Sequence, residues 1–339
     1  MSSIQNLQNI QNDKLKDNDI QHNNKEEDTS VFVVQSECAG GIFGQLLLYP
    51  LLKILTNTTS SNISFQSSNH SSSSPNLLIR GTHPNIEKGY VPVSSLTKDS
   101  NIPYIIYSGE PFLPGFRKGY PPLAIVATYL PPNPQREDWF WFPYMLFHGA
   151  LTEHQGLFRG IPNESPRPKA VGYVSSNPKH HRGKIFHAMF HTLSSDGHVV
   201  EKISPPGGWK EVPSHISSYT FFLALENTDL PGYITEKIIH AYVAGCIPIY
   251  WGSRKIKEIF NPESMVYVQD FSSFEKCAEY VKELLMDEER LSRIKSAPIF
   301  LSPEIEKDWM SVFQLSSNVP NLSPRYSKFV LRLRNHFFP

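Results

Sequence analysis

Cysteine is scarce in this chain of 339 residues, with only Cys38, Cys246 and Cys277. Three thiols cannot all pair with one another, and none stands in a CxxC or Cys/His spacing. A disulfide scaffold and a zinc-ribbon site are therefore excluded. Cys246, set between Gly245 and Ile247, reads as a buried inert thiol. Net charge is also missing: 32 Lys and Arg balance 32 Asp and Glu. Bulk electrostatics thus recruits neither nucleic acid nor an anionic membrane. No apolar run approaches the roughly 18 residues that a spanning helix needs. Residues 1–30 are mostly Asn, Gln, Asp, Lys and Glu and lack the basic-then-apolar order of a signal peptide. A soluble, cytoplasmic protein is the expectation, with the compartment otherwise open. Gly40, Gly41 and Gly44 do not match GxGxxG, so they read as a tight turn and not as a dinucleotide site. The Asp-x-Asp triplet Asp17-Asn18-Asp19 lies in the polar tail, follows no strand, and reads as chance.

What is present is alternation. Short apolar runs at Val31–Val34, Leu77–Arg80, Tyr104–Tyr107 and Leu123–Tyr129 are separated by polar segments and read as parallel strands of a first α/β domain. Thr56–Pro75 is rich in Ser and Asn and reads as a surface loop or insertion. Pro131–Pro143, with Trp139 and Trp141, reads as an aromatic linker or a binding surface. A second series follows: strands at Val171–Val174, Phe221–Leu225, Ile247–Trp251 and Met265–Val268. Helices at Arg182–Leu193, Ile234–Ala244 and Phe274–Leu285 alternate with them. Strands and helices in alternation predict a parallel sheet covered on both faces. The expected organisation is a disordered tail at 1–30, an α/β domain at 31–165, a second α/β domain at 166–310, and a tail at 311–339 packing back on the first domain. The basic, apolar-interleaved stretch Arg325–Pro339 leaves a peripheral membrane contact as the alternative.

The chemistry concentrates in Phe221–Val268. An apolar strand ends at Glu226-Asn227, a polar loop carries Tyr233, and a helix opens with Glu236 and Lys237 in its first turn. Open α/β sheets bind ligands at the carboxyl ends of their strands, and helix N-termini attract phosphate. Upstream, SSNPKHHRGKIFHAM places Arg182 after a strand and at the start of a helix, where a guanidinium can grip phosphate with two parallel hydrogen bonds. Ser108-Gly109-Glu110 follows the strand Tyr104–Tyr107 and offers a carboxylate at a strand's carboxyl end. His187 and His191 stand one helical turn apart, but no HExxH and no third ligand accompanies them, so no metal site is expected.

This order of elements resembles the α-1,3-fucosyltransferases, glycosyltransferase family 10. The shared pattern is strand, Glu-Asn, loop, Tyr-x-Thr-Glu-Lys, helix, then a Pro-containing strand. The resemblance implies a GT-B fold, with two Rossmann-like parallel-sheet domains facing across a cleft. It implies GDP-fucose as donor and a glycan acceptor containing N-acetylglucosamine or glucose, with inversion at the anomeric carbon. By the same resemblance, Arg182 and Lys237 would hold the diphosphate. Glu236 would accept the ribose hydroxyls, Asn227 and Tyr233 would line the donor site, and Glu110 would be the general base. Glu226 reads as structural. No cofactor is required, leaving a divalent cation at most a stimulatory role. Two alternatives remain: a transferase using another GDP-sugar or an unusual acceptor, and a glycan-binding protein that has lost catalysis.

Overall fold

In the computed structural model, the described residues are the strand segments 32–36, 63–67, 77–81, 104–107, 124–128 and 139–141, followed by 167–175, 180–206 and 212–310. Glu110, Cys38, Gly207, Gly208 and the stretches 1–30 and 311–339 lie outside them.

The first sheet has six parallel strands: β1 (Phe32–Ser36), β2 (Ile63–Ser67), β3 (Leu77–Gly81), β4 (Tyr104–Tyr107), β5 (Ala124–Thr128) and β6 (Trp139–Trp141). Their spatial order is β2-β1-β3-β4-β5-β6. Two expectations need correction here. The Ser/Asn-rich stretch is not all loop, because Ile63–Ser67 forms an outer strand in register with β1. Its alternation of apolar and polar side chains is what an outer strand can carry, and the surrounding serines hide it. Trp139–Trp141 is not a linker. It is the strand at the other edge and pairs with β5 from Val126 to Thr128.

The second sheet has five parallel strands in the order β11-β10-β9-β7-β8. These are β7 (Lys169–Val174), β8 (Val200–Ile203), β9 (Tyr219–Leu225), β10 (Ile247–Trp251) and β11 (Val266–Tyr267). Every residue of β9 and β10 is buried. A sheet covered on both faces has no solvent side, so these strands read as continuous apolar runs and not as alternation. Pro248 is tolerated in this interior strand because the pairing of β10 with β11 begins only at Ile249.

Helix α1 (His181–Ser194) buries Ile185, Ala188, Met189 and Leu193 at helical spacing. Beyond the short helix α2 (Val212–Ile216) comes α3 (Glu236–Val243), which is buried along Ile238–Tyr242. It ends in a Schellman motif: Cys246 N–H bonds the Ala241 carbonyl and Gly245 N–H bonds that of Tyr242. Gly245 sits at φ 69°, a conformation glycine adopts without penalty. Helix α4 (Phe274–Met286) buries Cys277, Ala278, Val281 and Leu284. Helices α5 (Glu288–Ser296) and α6 (Pro303–Met310) follow. Helix α1 packs on α4, and α3 packs on α2. Right-handed crossovers from β7 to β8 and from β9 to β10 run in opposite directions across the sheet, which puts α1 and α3 on opposite faces.

Candidate donor site at the carboxyl edge of the second sheet

The strand order reverses between β7 and β9. β8 lies to one side of β7, while β9, β10 and β11 lie to the other. In an open α/β sheet this switch point leaves a crevice at the strands' carboxyl ends, because the two outgoing loops part there. Five of the six site residues expected from the sequence are described, and all five sit around this point.

Arg182 is the second residue of α1, the helix that leaves β7. Its Nη1 donates to Oδ1 of Asn227 at 2.8 Å. Asn227 is the second residue beyond β9, and its Nδ2 faces the Tyr233 hydroxyl at 3.5 Å. Arg182, Asn227 and Tyr233 therefore form one chain across the switch point. Asn227 is exposed, Arg182 is half-buried and Tyr233 is buried.

Glu236 and Lys237 open α3, as expected. Their surroundings are tighter than the sequence suggested. Glu226, fully buried at the end of β9, accepts the Thr235 N–H on Oε1 and the Thr235 hydroxyl on Oε2, each at 2.7 Å. Lys237 Nζ donates to Thr235 Oγ1 at 2.9 Å and lies 3.4 Å from both Glu226 Oε2 and Glu236 Oε1. A directional relay results, from Lys237 ammonium to Thr235 hydroxyl to Glu226 carboxylate. Burial raises the pKa of Glu226, and the Lys237 charge opposes that rise. For Lys237 burial acts downward, but Glu236 and Glu226 outweigh it, so the ammonium holds its proton more tightly than a free lysine. The structural reading of Glu226 fits this geometry. Thr235 stands in the Tyr-x-Thr-Glu-Lys pattern but is given no role there. It stands at the N-cap of α3 but gives its hydroxyl to Glu226 and makes no side-chain cap bond. His180, at the N-cap of α1, makes none either.

Two further contacts hold the edge together. A Cβ on Gly252 would lie 2.6 Å from Glu226 Cγ, so only glycine lets the β10 exit pass over the buried carboxylate. Gln269, just beyond β11, accepts the Gly252 N–H at 3.2 Å. It donates to the Gly252 carbonyl at 2.9 Å and to Asp229 at 3.1 Å. The loops after β9, β10 and β11 are thereby tied to one another.

Chemically, this edge presents two cations, Arg182 and Lys237, each in the first turn of a helix whose N-cap side chain is engaged elsewhere or unused. Helix N-termini carry partial positive charge and donor N–H groups, so the arrangement suits a polyanion. Glu236, with its side chain 17% exposed, adds a carboxylate able to accept from hydroxyls. Among the described residues no group of three or more His, Cys, Asp or Glu side chains is placed to hold a metal ion.

Residues 165–294 match the family described as glycosyltransferase family 10 (fucosyltransferase), C-terminal part. All five of these site residues lie inside that match. The alpha-(1,3)-fucosyltransferase of Helicobacter pylori is 35% identical over 147 residues, covering 40% of this chain and 29% of that protein. The 4-galactosyl-N-acetylglucosaminide 3-alpha-L-fucosyltransferase 9 of Mus musculus is 34% identical over 147 residues, covering 40% of this chain and 38% of that one. The chain thus matches only about a third of the length of these curated relatives. A crystal structure of an alpha1,3-fucosyltransferase with GDP-fucose superposes with a TM-score of 0.56 at 19% identity, over 90% of this chain and 96% of that one. The fold is α/β of the GT-B type. Residues 165–294 resemble the C-terminal part of glycosyltransferase family 10.

Proposed function

We propose that the protein is an inverting fucosyltransferase that moves L-fucose from GDP-fucose to a hydroxyl of a glycan containing N-acetylglucosamine or glucose. The observation that carries this reading is the linked set at the switch point: Arg182 bonded to Asn227, Asn227 facing Tyr233, and Glu236 with Lys237 at the next helix start. That set coincides with the segment matched to a fucosyltransferase family.

In this reading Arg182 and Lys237 flank the diphosphate, and the starts of α1 and α3 supply backbone dipoles. Charge developing on the departing GDP meets preoriented cations and not reorganising water, and such preorganisation is the largest usual contribution to catalysis. Glu236 takes the ribose hydroxyls, while Asn227 and Tyr233 bound the sugar and nucleotide. Glu110 follows β4 in sequence and lies outside the described residues. It is assigned as the base that removes the acceptor hydroxyl proton as the oxygen attacks the anomeric carbon. No cofactor enters this scheme, and transfer assayed with EDTA and with added Mg²⁺ checks that directly.

The test is transfer itself. The protein is incubated with labelled GDP-fucose on a glycan array, with GDP-mannose and UDP-galactose as competing donors. Labelling from GDP-fucose on glycans with N-acetylglucosamine or glucose is the expected result. Labelling from another GDP-sugar would redirect the donor assignment. Donor binding without transfer to any acceptor would favour a binding protein.

A further inference from the structure

Gly232 lies in the loop between β9 and α3, one residue before Tyr233, and is buried. Both polar atoms of its backbone are held by side chains from distant elements. Its N–H donates to Ser253 Oγ, beyond β10, at 2.7 Å. Its carbonyl accepts the indole N–H of Trp141 at 2.9 Å, across 91 residues of sequence. Trp141 is the last residue of β6, an edge strand of the first sheet, paired there with Thr128. Its ring packs, half-buried, against the hydrophobic core of the second sheet. An indole nitrogen can only donate, so this bond has one possible direction.

The contact reaches the donor loop at a sensitive place. Tyr233 follows Gly232 and turns its hydroxyl to Asn227, which in turn takes Arg182. Ser253, beyond β10, holds the Gly232 N–H, and Trp141, from the other sheet, holds the Gly232 carbonyl, the peptide that leads into Tyr233. We propose that Trp141 is a positioning residue for donor binding: its indole N–H, carried on the edge of the first sheet, fixes the Gly232 peptide and through it the placement of Tyr233 and Asn227. This rests on the reading of that loop as the GDP-sugar site. It gives the donor loop a direct mechanical tie to the first sheet, whose strand β4 precedes Glu110 in sequence. Phenylalanine at this position would keep the ring packing and lose only the donor, leaving a buried carbonyl unpaired.

The experiment compares wild type and Trp141→Phe by amide hydrogen exchange without ligand, and by GDP affinity and donor kinetics. In the unliganded variant, exchange at residues 227–235 should rise about tenfold while α4, residues 274–286, is unchanged, because a local bond of this kind contributes roughly a factor of ten. The GDP dissociation constant and donor KM should rise about tenfold with kcat within about twofold, since the loss falls on ground-state and transition-state binding alike. Unchanged exchange at 227–235, an equal rise in α4, or unaltered GDP affinity in the variant would each overturn the proposal. A purely structural tryptophan would lower stability everywhere and leave the KM alone. Should the variant fail to fold, wild type decides: saturating GDP should protect 227–235 and 139–141 together, and protection of 227–235 alone counts against the tie. If wild type shows no GDP binding at all, the donor reading fails, while the exchange comparison in unliganded protein still judges Trp141.

Discussion

The carboxylate of Glu226 takes both the backbone N–H and the hydroxyl of Thr235, at 2.7 Å each. One side chain at the end of β9 thus grips the N-cap residue of α3 by its only two donors. The strand cannot shift against the helix without breaking both bonds. The helix start, with Glu236 and Lys237, is held at a fixed place on the carboxyl edge of the sheet.

Removal of that grip should be costly. Glu226 is fully buried, and Glu226→Ala would leave Thr235 and Lys237 facing a void, so a loss of about 3–5 kcal/mol is expected. Gly252→Ala should act through the same residue. The new methyl would lie 2.6 Å from Glu226 Cγ, and overpacking of this kind costs about 1–3 kcal/mol. Urea unfolding of both variants measures this. A Gly252→Ala protein as stable as wild type would mean that the edge can relax around the buried carboxylate.

Much of this arrangement was legible from residues alone, for stated reasons. The unit from β9 to β10 stood out because a strand buried on both faces must be uniformly apolar, and because Gly245 ends α3. Strand β8 did not, since VEKI carries two charges and its second and fourth residues are only half-buried at the sheet edge. Strand β11, Val266–Tyr267, lies inside the expected Met265–Val268 and is only shorter than expected. At the site, Arg182, Asn227, Tyr233, Glu236 and Lys237 were visible as polar residues at strand ends and helix starts. Thr235, Gly252 and Trp141 were not read as part of the site. Their importance lies in which distant atom they meet, and Trp141 meets its partner 91 residues away. The available signals were a charged residue, Glu226, closing a buried, mostly apolar run, and Thr235 within the Tyr-x-Thr-Glu-Lys pattern.

The two cations should separate by experiment. Arg182 bonds only Asn227 among the contacts described above, so Arg182→Ala should leave stability within about 0.5 kcal/mol of wild type. GDP binding should weaken by about 1.5–3 kcal/mol, the usual size of a charge-assisted contact. Lys237→Ala should weaken GDP binding as well and, in addition, lower stability by on the order of 1–3 kcal/mol, because Glu226 loses its cation. Calorimetry with GDP, paired with urea unfolding, reads both. Unaltered GDP affinity in Arg182→Ala would move the phosphate role to Lys179 or Lys184.

Alkaline pH should destabilise the fold early. Burial pushes the Cys246 and Cys277 thiols and the Tyr267 phenol up to about 12, and Tyr250 well above its ordinary value. In the unfolded chain these groups ionise near 8.5 and 10. Between those values and about 12 the folded state therefore binds more protons than the unfolded state, and stability falls as pH rises. Lys237, also raised, acts in the same direction: its contribution is complete below about 10.4 and is lost as pH passes its folded value. Each fully shifted group adds a slope of about 1.4 kcal/mol per pH unit. Urea unfolding at pH 7.5, 9 and 10 should show a steepening decline, and a flat profile would contradict the burial of the thiols.

Glu110→Gln should part binding from chemistry. The amide keeps the size of the side chain but cannot accept a proton. GDP affinity should hold while single-turnover transfer falls by roughly 10²–10⁴-fold, the usual contribution of a positioned base. Transfer at near wild-type rate would return Glu110 to the status of a turn residue and direct attention to other acids before residue 166, beginning with Glu37.

The central claim is that the carboxyl edge of the second sheet, around Arg182, Asn227, Tyr233, Glu236 and Lys237, binds a guanosine diphospho-sugar. Calorimetric titration of the wild-type protein with GDP-fucose, GDP, UDP and UDP-galactose tests it most directly. The account predicts saturable binding of GDP-fucose and GDP, with both uridine nucleotides weaker by at least about tenfold, a difference of about 1.4 kcal/mol. Uridine nucleotides binding as tightly as GDP-fucose, or no nucleotide binding at all, would contradict it.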